Sequence, residues 1–155
     1  MHRPVITILL VDDDTKILQL LRIILEAEGG YHVLTAPDGE VAAAIIDDAM
    51  SRLPDLIVTD RMMPHVDGVA LCRWLKADPA TASIPVVMLS AALLPLPSEP
   101  LWNVFLRKPI SIARLLEVVA SLLDERAKLS GRFTHSMNEP PVTGAGVPQH
   151  THPNE

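Results

Sequence analysis

Apolar and polar positions along this chain fall into alternating blocks. Val5 to Val11 is an unbroken run of apolar and β-branched residues, closed by Asp12-Asp13-Asp14. A run of this length ended by a polar turn reads as a buried strand. The period then changes: Ile17, Leu20, Leu21, Ile24 and Leu25 recur at helical spacing, Asp14 or Thr15 can cap that helix, and Gly29-Gly30 stops it. Tyr31 to Ala36 is a short second strand, and Asp38-Gly39 turns into a helix with Val41, Ala44, Ile45 and Ala49 on one face. A third strand opens at Pro54-Asp55 and ends at Asp60. Asp67-Gly68 begins a helix with Val69, Cys72 and Leu75 on its buried stripe, and Ile84 to Leu89 is a fourth strand ending at Ser90. Asn103 to Leu106 can be a short fifth strand, with Lys108-Pro109 after it. Ile112, Leu115, Leu116, Val119, Leu122 and Leu123 then form the cleanest amphipathic helix of the chain.

Strands alternating with helices through short loops require a parallel sheet covered on both faces, with right-handed crossovers. The flavodoxin-like doubly wound α/β fold, with five strands in the order 2-1-3-4-5, is the common solution at this size. Strands 1, 3, 4 and 5 are contiguous in that order. Their carboxyl ends then bring Asp12, Asp13, Asp60, Ser90 and Lys108 to one crevice, the edge where such sheets bind ligands.

Two stretches break the pattern. Pro95, Pro97 and Pro100 interrupt residues 91–102, and each lacks a backbone donor, so a regular helix is hard to sustain there. Leu93, Leu94, Leu96, Leu101 and Trp102 make the same stretch unusually apolar, which makes a partner or a second copy of the chain a candidate to pack on it. From residue 129 the chain turns rich in Pro and Gly, so residues 4–128 are read as one domain and 129–155 as a disordered tail. His150-Thr151-His152 in that tail is read as incidental rather than a metal site.

Composition narrows the classes. The net charge of −6 and the lack of a basic stripe argue against direct nucleic-acid binding. Aromatics are 3% of residues, so the core must be aliphatic. The single cysteine, Cys72, excludes an internal disulfide, suits a reducing compartment, and reads as a core residue. No run approaches the ~20 apolar residues a membrane helix needs. The expectation is a soluble, cytoplasmic protein without a membrane segment.

A lone aspartate at a strand end is often a cap. Three carboxylates gathered without arginine partners are costly, and a hard divalent cation such as Mg²⁺ or Mn²⁺ resolves the repulsion with oxygen ligands. Asp13 and Asp60 are the candidate direct ligands, with Asp12 nearby and the Met62 backbone carbonyl completing the set. Asp60 is then also a candidate nucleophile toward a phosphoryl group, with Lys108 neutralising charge and the Ser90 hydroxyl donating to a phosphoryl oxygen.

These pieces resemble a known family. Leu10-Val11-Asp12-Asp13, the stretch from Val58 to Gly68 with Asp60, Met62, Pro64 and Asp67, Leu89-Ser90-Ala91, and Lys108-Pro109 are similar to the receiver domain of two-component response regulators. The resemblance spans about residues 4 to 127. It implies Mg²⁺-dependent phosphorylation of Asp60 by a histidine kinase or phosphotransfer protein, switching protein contacts, with no catalysis beyond the domain's own phosphorylation and dephosphorylation. In such domains Ser90 moves toward the phosphoryl group and an aromatic three before the lysine swings inward. That position is Phe105, which reads equally as an ordinary strand residue.

The family's fourth helix falls on the proline-rich stretch and is expected to be short, distorted or missing. With no effector domain after the last helix, a stand-alone receiver is expected. Neither Met62 nor Ala92 can orient water through a polar side chain, which implies a long-lived acyl phosphate. Two rivals remain. A receiver-like module can act as a constitutive binding or dimerisation domain. Val11-Asp12-Asp13-Asp14-Thr15 also resembles the start of haloacid-dehalogenase-type phosphatases, in which Asp12 would be the nucleophile.

Overall fold

A computed structural model describes residues 4–49, 52–91 and 97–137, with side chains described through residue 130. The elements run β1 (Thr7–Val11), α1 (Thr15–Gly29), β2 (His32–Ala36), α2 (Gly39–Asp48), β3 (Leu56–Asp60), α3 (Gly68–Ala77), β4 (Val86–Ser90), β5 (Val104–Arg107) and α4 (Ile112–Met137). The strands form one parallel sheet in the order β2-β1-β3-β4-β5. This is the doubly wound flavodoxin-like arrangement expected from the block pattern.

β1, β3 and β4 are buried along their whole length, which is why their sequences are continuous apolar runs rather than alternating ones. Their side chains feed two cores. One holds Ile8, Leu10, Val58, Val87 and Leu89 with Leu21 and Leu25 of α1 and Leu115 and Val119 of α4. The other holds Leu9, Val11, Ile57, Val86 and Met88 with Ile46 of α2 and Leu71 and Leu75 of α3. Asp14, Asp38 and Asp67 each accept backbone N–H groups at the start of α1, α2 and α3.

Among the described residues the strand-to-strand connection from β4 to β5 contains no helix. Residues 92–96, and with them Ala92, Leu93, Leu94 and Leu96, lie outside the described residues. In the described part, Leu101 is 5% exposed and belongs to the second core, with Trp102 and Phe105 packed against it. Arg73 of α3 pairs with Glu99 at 3.1 Å on the solvent side of the same stretch. An apolar side chain from irregular backbone thus occupies the face that a helix would otherwise cover.

Element ends differ from the sequence expectation in places. Val5 is 55% exposed and precedes β1, and β5 lies one residue later than the pattern suggests. The last helix continues to Met137, past the boundary that composition placed after residue 128. Gly131 costs a helix only about 1 kcal/mol relative to Ala, and the next proline is Pro140. Helix propagation therefore outlasts the change in composition. Residues 138–155, including His150 and His152, are outside the described residues. No helix among the described residues is long and apolar enough to cross a membrane.

Candidate functional site

The carboxyl edge of the sheet gathers side chains from four loops. Asp12 follows β1 and is 3% exposed, Asp13 beside it is exposed, and Asp60 ends β3 at 7% exposure. One carboxylate oxygen from each of Asp12, Asp13 and Asp60 lies within 4.8 Å of the others. Lys108, just beyond β5, places its Nζ 3.2 Å from Asp12 Oδ2 and 3.3 Å from Asp60 Oδ1. The Lys108 ammonium thus pairs with two of the three clustered carboxylates. That imbalance, with oxygen as the donor atom throughout, fits a hard divalent cation such as Mg²⁺.

Burial raises the Asp60 pKa above the ordinary carboxylate value and the neighbouring Asp12 raises it further, against the opposing pull of Lys108 and the Arg61 N–H. For Lys108, burial favours the neutral amine, but the charges and hydrogen bonds of Asp60 and Asp12 outweigh it and hold the ammonium above its usual pKa. The cation is thus firmly protonated at neutral pH, and Asp60 is the carboxylate whose ionised form is disfavoured.

Local backbone orients Asp60. The Arg61 N–H donates to Asp60 Oδ1 at 3.0 Å, and the Thr59 hydroxyl donates to the Asp60 carbonyl at 2.9 Å. A Cβ on Gly68 would sit 2.3 Å from that same carbonyl oxygen, so α3 can begin this close to Asp60 only with glycine. His65 adopts φ 64°, the left-handed region, in the loop between them. Met62 is 51% exposed in that loop.

Ser90 ends β4 at 1% exposure, and Asp60 is in register with its neighbour Leu89. The Lys108 N–H donates to the Ser90 carbonyl at 3.0 Å, which ties the cation's strand to the hydroxyl's strand. Phe105 is half-buried, its ring 6.2 Å from that of Trp102 at a tilt of 46°. Cys72 is fully buried in α3, where burial pushes its thiol up to about 12, an unreactive environment. Sequence reasoning passed over Arg61, which is only 7% exposed next to Asp60; an arginine inside a polar turn gives no burial signal.

A doubly wound sheet of this order, with three carboxylates, a lysine and a buried hydroxyl at its carboxyl edge, is the arrangement that the resemblance to receiver domains implied. The response regulator receiver domain profile matches residues 8–120. The chain belongs to that family.

Its relatives include the polar-differentiation response regulator DivK of Brucella anthropi, 30% identical over 123 residues, covering 77% of this chain and 97% of DivK. The DNA-binding dual master transcriptional regulator RpaA of Synechocystis is 36% identical over 144 residues, covering 88% of this chain and 57% of RpaA. The chain spans 35% of the phosphate regulon regulator PhoB of Pseudomonas aeruginosa, at 44% identity over 85 residues. Among solved structures, the CheY-like receiver domain protein of Methanospirillum hungatei superposes with a TM-score of 0.67 at 28% identity, over 81% of this chain and 98% of that one.

Proposed function

We propose that this chain is the phosphoacceptor of a two-component phosphorelay, with Asp60 as the modified residue. The observation that carries the reading is the Lys108 ammonium shared by Asp12 and Asp60, with the Asp13 carboxylate beside them. The donor is a phosphohistidine on a sensor histidine kinase or a phosphotransfer protein. An Asp60 carboxylate oxygen forms a bond to phosphorus as the phosphorus–nitrogen bond to the donor imidazole breaks. The electron pair remains on that imidazole, and the product is an acyl phosphate.

Mg²⁺ held by Asp12, Asp13, Asp60 and the Met62 carbonyl would supply neutralisation of the phosphoryl oxygens. Lys108 neutralises one further oxygen, and the Ser90 hydroxyl donates to another. The chain's chemistry is confined to its own phosphorylation and dephosphorylation, and the output is a change in protein contacts in the cytoplasm. Mn²⁺ meets the same donor set.

Intact mass after incubation with Mg²⁺ and acetyl phosphate tests the reading. A labile phosphoryl adduct is expected on the wild type and absent from Asp60→Asn. No adduct despite demonstrable Mg²⁺ binding would leave a constitutive binding module. An adduct that survives Asp60→Asn and disappears in Asp12→Asn would move the nucleophile to Asp12.

A further inference from the structure

The loop of residues 61–67 carries the Met62 carbonyl, and its Arg61 N–H donates to Asp60 Oδ1 at 3.0 Å. Its ends are closed on themselves, since the Gly68 N–H donates to the Arg61 carbonyl at 2.9 Å. Its carboxyl-terminal end is tied to a different element. The N–H of Gly39, the first residue of α2, donates to the Val66 carbonyl at 3.1 Å. A Cβ on Gly39 would lie 2.6 Å from that carbonyl oxygen, 2.7 Å from Val66 Cγ1 and 3.0 Å from Val66 Cβ. Val66 is β-branched, so its side chain has little rotamer freedom with which to step aside. One residue earlier stands His65, a non-glycine residue at φ 64°. Such a conformation persists only where the surroundings over-determine it.

We infer that Gly39 is a positioning residue for the phosphoacceptor site. Lacking a side chain, it lets the start of α2 dock on the Val66 carbonyl. That contact holds the left-handed turn at His65 and, through the loop, the placement of Asp60 and Met62. The inference rests on the phosphoacceptor reading above. α2 supplies no side chain to the acidic cluster, so its influence runs through backbone alone. Asp38 caps the same first turn by accepting from the Val41 N–H at 2.8 Å, which steadies the Gly39 donor.

Gly39→Ala forces the Val66 carbonyl to retreat by about 0.8 Å, from 2.6 Å to the 3.4 Å of an ordinary contact. Misplacement on the order of 1 Å costs up to about a hundredfold in rate. The test measures the rate of Asp60 phosphorylation at saturating Mg²⁺ and acetyl phosphate, the Mg²⁺ dissociation constant by calorimetry, and folding by circular dichroism. The control is Leu21→Ala, which weakens the core on the opposite face of the sheet.

Gly39→Ala is expected to lower the saturated rate about tenfold or more and to weaken Mg²⁺ binding, while Leu21→Ala leaves both unchanged where it is folded. His65→Gly added to Gly39→Ala is expected to recover part of the rate, because glycine holds the left-handed turn without a tether. If Gly39→Ala does not fold, Asp38→Ala loosens the same turn without adding a clash, and a several-fold loss of rate is expected. A wild-type rate in whichever of the two variants folds overturns the inference, as does an equal loss in folded Leu21→Ala. A wild-type protein that acquires no adduct overturns the phosphoacceptor reading and this inference with it.

Discussion

Replacing Lys108 by Met removes the ammonium while keeping an unbranched side chain of similar reach. The wild-type Nζ lies 3.2 Å from Asp12 and 3.3 Å from Asp60, and the lysine side chain is 19% exposed. Hydrogen bonds to charged groups contribute about 1.5–3 kcal/mol each. Both contacts are longer than the ~2.7–2.9 Å of the strongest charge-assisted pairs, and they share one ammonium, so their contributions do not add fully. The expected loss in metal-free protein is about 2 kcal/mol, a fall in Tm of roughly 4–8 °C at this chain length.

The pH dependence has a definite sign. The folded-state pKa of Asp60 is raised, chiefly by burial and then by Asp12. Its contribution to stability is therefore fully present below the unfolded-state value of about 3.9 and is lost as pH rises through the folded value. Without Lys108 the folded value rises further, so the variant's deficit grows as pH rises above the wild-type folded value. Saturating Mg²⁺ replaces the missing cation and narrows the gap; at a hundredfold excess over its Kd it adds about 2.7 kcal/mol. Thermal unfolding by circular dichroism, with and without Mg²⁺, reads all of this. A metal-free variant as stable as wild type above the wild-type folded value, or a deficit that grows on acidification, would refute the reasoning.

Leu101→Ala is expected to cost about 2–3 kcal/mol in urea unfolding, the low end of the Leu→Ala range, because irregular backbone can close partly over the void; a change under about 0.5 kcal/mol would mean that the strap does not complete the core. The acyl phosphate is expected to persist for minutes or longer, because Met62 stands exposed in the loop after Asp60 and its side chain has no polar group to orient water. Loss of the adduct with a half-life of seconds in a stopped time course would exclude that.

The blocks of apolar residues determined the strands and helices, their order and the parallel sheet, because side-chain period and the length of a buried run are local properties. They also placed Asp12, Asp60, Ser90 and Lys108 at strand ends, and in a doubly wound sheet those ends share one edge. Val104–Arg107 and the run of α4 to Met137 departed from the pattern by margins that reflect fraying rules and helix propagation, which composition does not encode.

Other features belong to the tertiary structure alone. Lys108 and Asp12 stand 96 positions apart, and their 3.2 Å contact depends on the registers of β1 with β3, β3 with β4 and β4 with β5. The burial of Leu101 in a proline-rich strap, the approach of Gly68 to the Asp60 carbonyl and the docking of Gly39 on Val66 leave no trace in periodicity. Each is fixed by what another segment places opposite it. A residue's own neighbours in sequence determine its local conformation, but the space in front of its side chain is set by chain that arrives from elsewhere.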